Sequence, residues 1–571
     1  MPMYSTPTYT LEAGTRHVGF VGIYASQVKL PDVPFRDGIK CTYRGITVST
    51  VADANRLYAK HQLMNVCYGR LCAFMIMGCH VSCYPRGIET GLMAFVGRMT
   101  PELGLQFNRD LIPLMVDLLK FIADMAQLTV GPLERWTDEQ VLEHQRDGKK
   151  REIMRQAQRA VFEHGPLPMS RLRQYDCFAK FEKHIAVEWN DGWILKKKLV
   201  PRLINSPDVQ VNAILAPYTL PMLKWVGSAC NIQANVFYAG GATPQELNIV
   251  LNRLIDDFEF FVEDDISMID ASHTEGSFEF HARVRKALWP DLPKEIERLF
   301  VALQKITVKA RAGGVRGEVP VANASGIPMT SYNNSLICVV LRTLAIAYAS
   351  DDCEIGDHQR IAFGARLVLH ASMQLFAGDD GLVGINRCSL RDPSDPLWLT
   401  RYVEFWATAG FKVSPEKVRV LTRDRRRMIT FLGMRPFWSG QMYEWGPEIA
   451  RRLKTMFWQL DNAMQPFVWA KGVAQSLLIV GKHVPVIREI SDAVLHLAPG
   501  PIGDTVWTNE YSTFRNYAAT GDITARTIGE FCVDYGVTPS EYEDFRALLR
   551  SQQTVQVDLH HIVLRKVLDH E

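Results

Sequence analysis

The tetrapeptide Gly378-Asp379-Asp380-Gly381 lies between two apolar runs, Met373-Gln374-Leu375-Phe376-Ala377 and Leu382-Val383-Gly384-Ile385. Two short apolar runs around a glycine-flanked turn predict a β-hairpin. Such a hairpin carries two carboxylates at its tip, where a rigid scaffold can present them to a divalent metal. Carboxylates this close repel when both ionise, unless a cation or a raised pKa relieves them. The competing reading is a solvated turn, since Asp and Gly are ordinary turn residues. The rest of the chain decides between the two.

At 571 residues the chain can bury a large core and divide into several subdomains. With 47% apolar and 22% charged residues it has ordinary globular composition, and disorder is not the default. The net charge of +2 and pI of about 8.0 do not by themselves mark a nucleic-acid binder. Eleven cysteines without a repeating frame favour reduced thiols over a disulfide scaffold. The group Cys67, Cys72, Cys79, His80 and Cys83 lacks paired Cys-x-x-Cys knuckles and reads as a buried apolar helix rather than a zinc site. No basic-then-apolar leader opens the chain, and Arg70 and His80 interrupt the best transmembrane candidate, Leu63 to Cys83.

Loops and short strands are expected in the first ~60 residues. A helical pattern follows from Val51 to about Ala126, clearest over Asp110 to Leu128. Three basic clusters come next: Arg146-Asp147-Gly148-Lys149-Lys150-Arg151, Lys180 to Lys183, and Lys196-Lys197-Lys198 to Arg202. Interleaved with Tyr175, Phe178, Phe181 and Trp193, they suggest a phosphate-handling surface. The run Phe258 to Val262 reads as a buried strand ending at Glu263-Asp264-Asp265, so Asp265-x4-Asp270 begins at a strand's C-terminal end. The glycine-rich stretch Ala312 to Gly317 reads as a loop or hairpin, and Ser325 to Thr330 leads into an apolar helix over 331–348. There Thr330 and Asn334 share a face. Trp398 to Ala409 reads as a helix stopped by Gly410, Ile429 to Met434 as a strand, and the chain from Pro447 as mainly helical.

The ordered set Asp265-x4-Asp270, Ser325-Gly326-x3-Thr330-x3-Asn334, Gly378-Asp379-Asp380, Gly410…Lys417 and Phe431-Leu432-Gly433 resembles the palm of a viral RNA-dependent RNA polymerase. Upstream, Gly148-Lys149-Lys150-Arg151, Phe178-x-Lys180-x-Glu182-Lys183 and Pro201-Arg202-Leu203-Ile204 resemble the fingers of the tombusvirus-like polymerases of positive-strand RNA viruses. The likeness spans roughly residues 140–490. Ile269 stands where an aromatic often precedes the second Asp, and the membrane-anchoring N-terminal region of some relatives has no counterpart, which points to one product of a larger coding region.

The resemblance implies an α+β right-hand polymerase with fingers, an antiparallel palm sheet flanked by helices, and a helical thumb. The expected division is 1–130 N-terminal region and fingers extension, 131–255 fingers, 256–437 palm with a fingers insertion near 290–322, and 438–571 thumb and C-terminal region. It implies nucleotidyl transfer from NTPs with two Mg²⁺ ions, Mn²⁺ being a possible substitute, at Asp265 and Asp379 with Asp380 adjacent. Asp270 and Asn334 are expected to read the ribose 2′-hydroxyl, beside the Ser325-Gly326 loop supported by Thr330. Lys180, Lys183 and Arg202 are expected to bind the triphosphate, and Lys417 to protonate pyrophosphate. Phe431-Leu432-Gly433 is expected in the primer-grip hairpin, with Arg423, Arg425, Arg426 and Arg427 facing RNA or solvent. Implied partners are single-stranded template, nascent RNA, NTPs and other viral replication proteins, at membrane-associated sites in the host cytoplasm. A reverse transcriptase would carry an aromatic-x-Asp-Asp hairpin and lack the Ser-Gly…Thr…Asn set; a scaffold that has lost catalysis would not need every carboxylate. No Gly-x4-Gly-Lys-Ser/Thr loop is present, so no helicase is expected.

Overall fold

Five consecutive buried residues, Phe260–Asp264, form an inner strand of a five-stranded sheet. Its strand order is Val236–Tyr238, Ser372–Ala377, Asp380–Ile385, Phe260–Asp264 and Arg419–Thr422, antiparallel except for the first pair. Because side chains alternate across a strand, Val262, Phe376 and Val383 enter one core while Phe261, Leu375 and Leu382 enter another. The first core holds the helix Thr330–Ala349, buried from Tyr332 onward, with Ile112–Met125 and Pro396–Ala409 against it. The second is covered by Pro244–Asp257 and the hairpin Met434–Trp438/Tyr443–Pro447. A sheet covered on both faces requires apolar residues at nearly every position, as these strands have.

The molecule, a computed structural model, describes residues 21–22, 35–61, 66–67, 70–77, 80–82, 88–100, 105–128, 131–145, 147–180, 183–189, 192–195, 201–310, 313–387, 391–459, 464–503, 521–555 and 557–570. A second sheet of six strands runs Leu203–Pro207, Gln174–Ala179, Ile306–Ala310, Val315–Val319, Lys40–Tyr43 and Ile46–Val48. The strands Ile306–Ala310 and Val315–Val319 thus fall in sequence between strands of the five-stranded sheet but pair with Gln174–Ala179 and Lys40–Tyr43. Its two strands pair antiparallel through a turn with Gly313 and Gly314 at positive φ, the hairpin alternative of the sequence reading. C-terminal helices, including Pro466–Gly481, Ile487–Leu497, Ala525–Tyr535 and Pro539–Ser551, build a third core around Leu71 to Ile76. Arg70–Leu71 pairs with Trp458–Gln459 and Met75–Ile76 with Asp558–Leu559, so the early chain joins both the six-stranded sheet and the C-terminal helices.

Two expectations are corrected. The described residues between Cys67 and Cys83 do not form a buried helix: Val66–Cys67, Arg70–Leu71, Met75–Ile76 and His80–Ser82 are short strands between the helices Val51–His61 and Ile88–Met99. A short apolar run has no periodicity that separates strand from helix, and here distant pairing partners choose the strand. Cys72 is buried with its thiol 3.4 Å from Gln459 Oε1, while Cys79 and Cys83 lie outside the described residues. Ile429 to Met434 is not a continuous strand either. Leu432 (φ 52°) and Gly433 (φ 70°) turn the chain, and the strand begins at Met434. Among the described residues no helix is long and apolar enough to cross a membrane.

Candidate active site

The hairpin Ser372–Ala377/Asp380–Ile385 closes through Gly378 at φ +66°, with Ala377 opposite Asp380. Glycine reaches this left-handed turn without a Cβ penalty. The Gly378 N–H donates to Ser335 Oγ at 2.9 Å, which ties the turn to the helix Thr330–Ala349. Beneath it Arg342, from the same helix, grips Asp264: Nε lies 3.0 Å from both carboxylate oxygens and Nη2 2.5 Å from Oδ1. Nη2 also donates to the Asp379 carbonyl at 3.1 Å, and Tyr402 OH donates to Asp264 Oδ2 at 2.5 Å. Gly381 has no room for a side chain, because a Cβ there would sit 2.1 Å from Arg342 Cζ. Strand alternation sends Asp264 inward to Arg342 and Glu263 to the other face, where it meets Arg419 and Thr430. Asp265, the next residue, is left exposed at the strand end.

Asp265, Asp379 and Asp380 line one cavity of about 710 Å³. Burial raises the Asp379 carboxyl above its ordinary value, and Asp265 adds to the rise. Asp380 is pushed up to about 6 by the enclosing walls, then by Asp379 and Asp265, although its side chain keeps contact with solvent. Lys417 Nζ meets Asp265 Oδ2 at 2.5 Å. Among the described residues no three carboxylate, imidazole or thiol groups already stand at metal-ligand spacing. The donor chemistry nevertheless fits Mg²⁺, which takes a few carboxylates and completes its shell with water and substrate phosphate. Mutual repulsion among three acids on one wall is the state a divalent cation relieves.

Along the same cavity Asn334 Nδ2 donates to Asp270 Oδ1 at 2.8 Å. Burial raises Asp270 to about 6, Asn334 opposing the rise and Asp379 adding to it. Ser325 lines the cavity and accepts a hydrogen bond from the Asn205 N–H at 3.0 Å. Gly326 lies behind it, where a Cβ would meet Asn205 O at 2.0 Å. Thr330 Oγ1 donates to the Ala324 carbonyl, closing the loop at the helix start. Gly326 and Thr330 therefore shape the Ser325 loop without forming the cavity wall.

The basic residues divide. Arg202 lines the cavity, and its carbonyl accepts the Lys180 N–H at 2.7 Å. Neither Lys180 nor Lys183 belongs to the lining. Lys183 turns instead to the C-terminal part: Nζ donates to Thr455 O at 2.9 Å and sits 5.1 Å from the Trp469 ring centroid. Burial lowers its ammonium to about 8. Glu182 and Lys196 to Lys198 lie outside the described residues. The arginine run is not uniformly solvent-facing: Arg427 forks onto Asp534 and Arg423 donates to Asp256 O. Phe431 bridges to Met434 at the mouth of the hairpin Met434–Trp438/Tyr443–Pro447. Sequence reasoning missed Arg342, Tyr402 and the cavity residues Arg98 and Lys412. Arg342 left a signal, as the one charged residue in the run Leu336 to Ala349; Arg98 left none.

Residues 202–482 match the family model of viral RNA-dependent RNA polymerases, a span that begins at Arg202 and includes every cavity carboxylate. No curated protein matches the chain.

Proposed function

We propose that this RNA-directed RNA polymerase, a nucleotidyltransferase of right-hand fold, replicates a positive-strand viral RNA genome with a two-metal site at Asp265 and Asp379. The observation that carries the site assignment is the convergence of Asp265, Asp379 and Asp380 on one cavity that also presents Arg202, Lys417, Asp270 and Asn334. Asp265 and Asp379 would hold a pair of Mg²⁺ ions with Asp380 adjacent, Mn²⁺ substituting. Bound there, the pair supplies charge neutralisation at the attacking 3′-oxygen and the leaving pyrophosphate.

The chain's own groups do the rest. Arg202 offers a planar fork to the triphosphate. Lys417 holds a proton for the departing pyrophosphate oxygen, and substrate entry must first part it from Asp265. Asp270 and Asn334 together provide the acceptor and donor that a 2′-hydroxyl requires. The Arg342–Asp264 pair sets the height of the hairpin tip through the Asp379 carbonyl. On this reading the six-stranded sheet is the fingers, the five-stranded sheet the palm and the C-terminal helices the thumb. The order of the basic clusters supports a tombusvirus-like subgroup, working with other viral proteins at membrane-associated sites in the host cytoplasm.

The test is nucleotide incorporation on single-stranded RNA in Mg²⁺, with and without primer, for the native protein, Asp265→Ala and Asp379→Ala. Loss of a metal ligand should remove several kcal/mol of transition-state stabilisation and lower the rate by about a thousandfold or more. Retained activity in either variant overturns the assignment of that carboxylate.

A further inference from the structure

The Asn334 amide is held by more than Asp270. Its Oδ1 lies 2.8 Å from Asn323 Nδ2 and 3.0 Å from His273 Nε2. Asn323 Oδ1 in turn accepts from Asn333 Nδ2 at 3.2 Å, and the Asn323 N–H donates to the Asp270 carbonyl at 3.0 Å. His273 and Asn323 are both 0% exposed, so water cannot replace these partners. His273 Nδ1 lies 3.1 Å from Ser277 Oγ, and the ring is otherwise packed among Phe278, His281 and Phe411.

The polarity of this chain follows from chemistry. An ionised carboxylate only accepts, so Asn334 must turn its NH₂ toward Asp270. Its carbonyl then faces Asn323 and His273, and both must donate. Burial lowers the His273 pKa to about 4, leaving a neutral ring with one N–H, which the contact to a carbonyl assigns to Nε2. Two donors occupy both lone pairs of Asn334 Oδ1. A flipped amide would oppose donor to donor and carbonyl to carboxylate, losing three buried hydrogen bonds together.

We propose that His273 and Asn323 are positioning residues for sugar selection: by saturating Asn334 Oδ1 they leave Asn334 able only to donate to a ligand, and Asp270 only to accept. An incoming 2′-hydroxyl then accepts from Asn334 and donates to Asp270. This rests on the reading of Asp270 and Asn334 as the ribose pocket.

The test measures kcat/KM for ATP, 2′-fluoro-ATP and 2′-deoxy-ATP on the full chain with one RNA template, for the native protein and four variants. The ratio between nucleotides is internal to each preparation, so partial misfolding cancels. Asn323→Asp keeps the acceptor for Asn333 and removes the donor to Asn334; His273→Phe keeps ring shape without a donor; His273→Gln retains one. Asn323→Asp and His273→Phe should each lower the ATP over deoxy-ATP ratio by about tenfold, the worth of a buried hydrogen bond. His273→Gln should recover most of it. An unchanged ratio in both disrupting variants, with a lowered ratio in Asn334→Ala, overturns the proposal alone. An unchanged ratio in Asn334→Ala overturns the ribose-pocket reading beneath it. Should neither disrupting variant fold, the native protein decides: 2′-fluoro-ATP, which accepts but does not donate, should be used better than 2′-deoxy-ATP, and equal use overturns the donor-only assignment.

Discussion

Replacing Arg342 with Met removes the cation beneath the Gly378 turn while nearly conserving side-chain length. Arg342 and Asp264 each expose only 1% of their side chains, so the variant would leave the Asp264 carboxyl in a dry site without its cation and with Tyr402 as its hydrogen-bond partner. Breaking a buried pair from one side costs about 3–5 kcal/mol, because one charge is left uncompensated. The Asp379 carbonyl also loses its donor, a further loss of about 1 kcal/mol. The damage is local to the hairpin and to strand Phe260–Asp264, so hydrogen exchange of peptides covering 372–385 is the direct assay. At one factor of ten per 1.4 kcal/mol, a 4 kcal/mol loss opens these amides about a thousandfold more often. The double variant Arg342→Met/Asp264→Leu removes both charges and should recover most of the protection, since apolar replacements of buried pairs are commonly neutral or stabilising. RNA synthesis should stay low in both, because neither variant restores the donor that sets the Asp379 carbonyl. A rise in exchange below tenfold for Arg342→Met, or a double variant no better protected than the single, refutes the reasoning.

The raised carboxyls make metal stabilisation pH-dependent. Asp270 and Asp380 near 6, with Asp379 also raised, hold protons more tightly folded than unfolded. Their contribution is fully present below the unfolded value of about 4 and is lost as pH rises through about 6. Added Mg²⁺ should therefore raise the melting temperature more at pH 7.5 than at pH 5.5, and equal shifts would exclude Asp379 and Asp380 as metal ligands. Lys417→Leu should lower kcat by about a hundredfold with little change in KM for NTP, read by single-turnover incorporation; a KM-dominated loss would make Lys417 a binding group instead. Arg427→Ala should lower thermal stability by breaking the fork to Asp534, while leaving the salt dependence of RNA binding unaltered. A reduced salt slope would return Arg427 to the RNA surface.

The helices Thr330–Ala349 and Pro396–Ala409 and the Asp379-Asp380 hairpin were legible because long periodic segments and glycine turns are locally encoded. The spacing of Asp265, Asp270, Ser325, Asn334, Asp379 and Lys417 likewise determined which side chains are available for chemistry. The short strands of 66–82 were not legible, since their pairing partners lie as far off as Asp558–Leu559. Lys183 shows the same limit: its cluster suggests phosphate, yet Thr455 and Trp469 claim its ammonium. Arg342, His273 and Asn323 carry no motif of their own. Their roles arise only when burial removes water and each remaining polar atom must find a partner inside the protein. Sequence by itself determined which acidic and basic groups are at hand and the hairpin turn that carries two of them; tertiary structure decided which charges are paired, which side-chain amide has its hydrogen bonds filled, and which lysine lies away from the cavity.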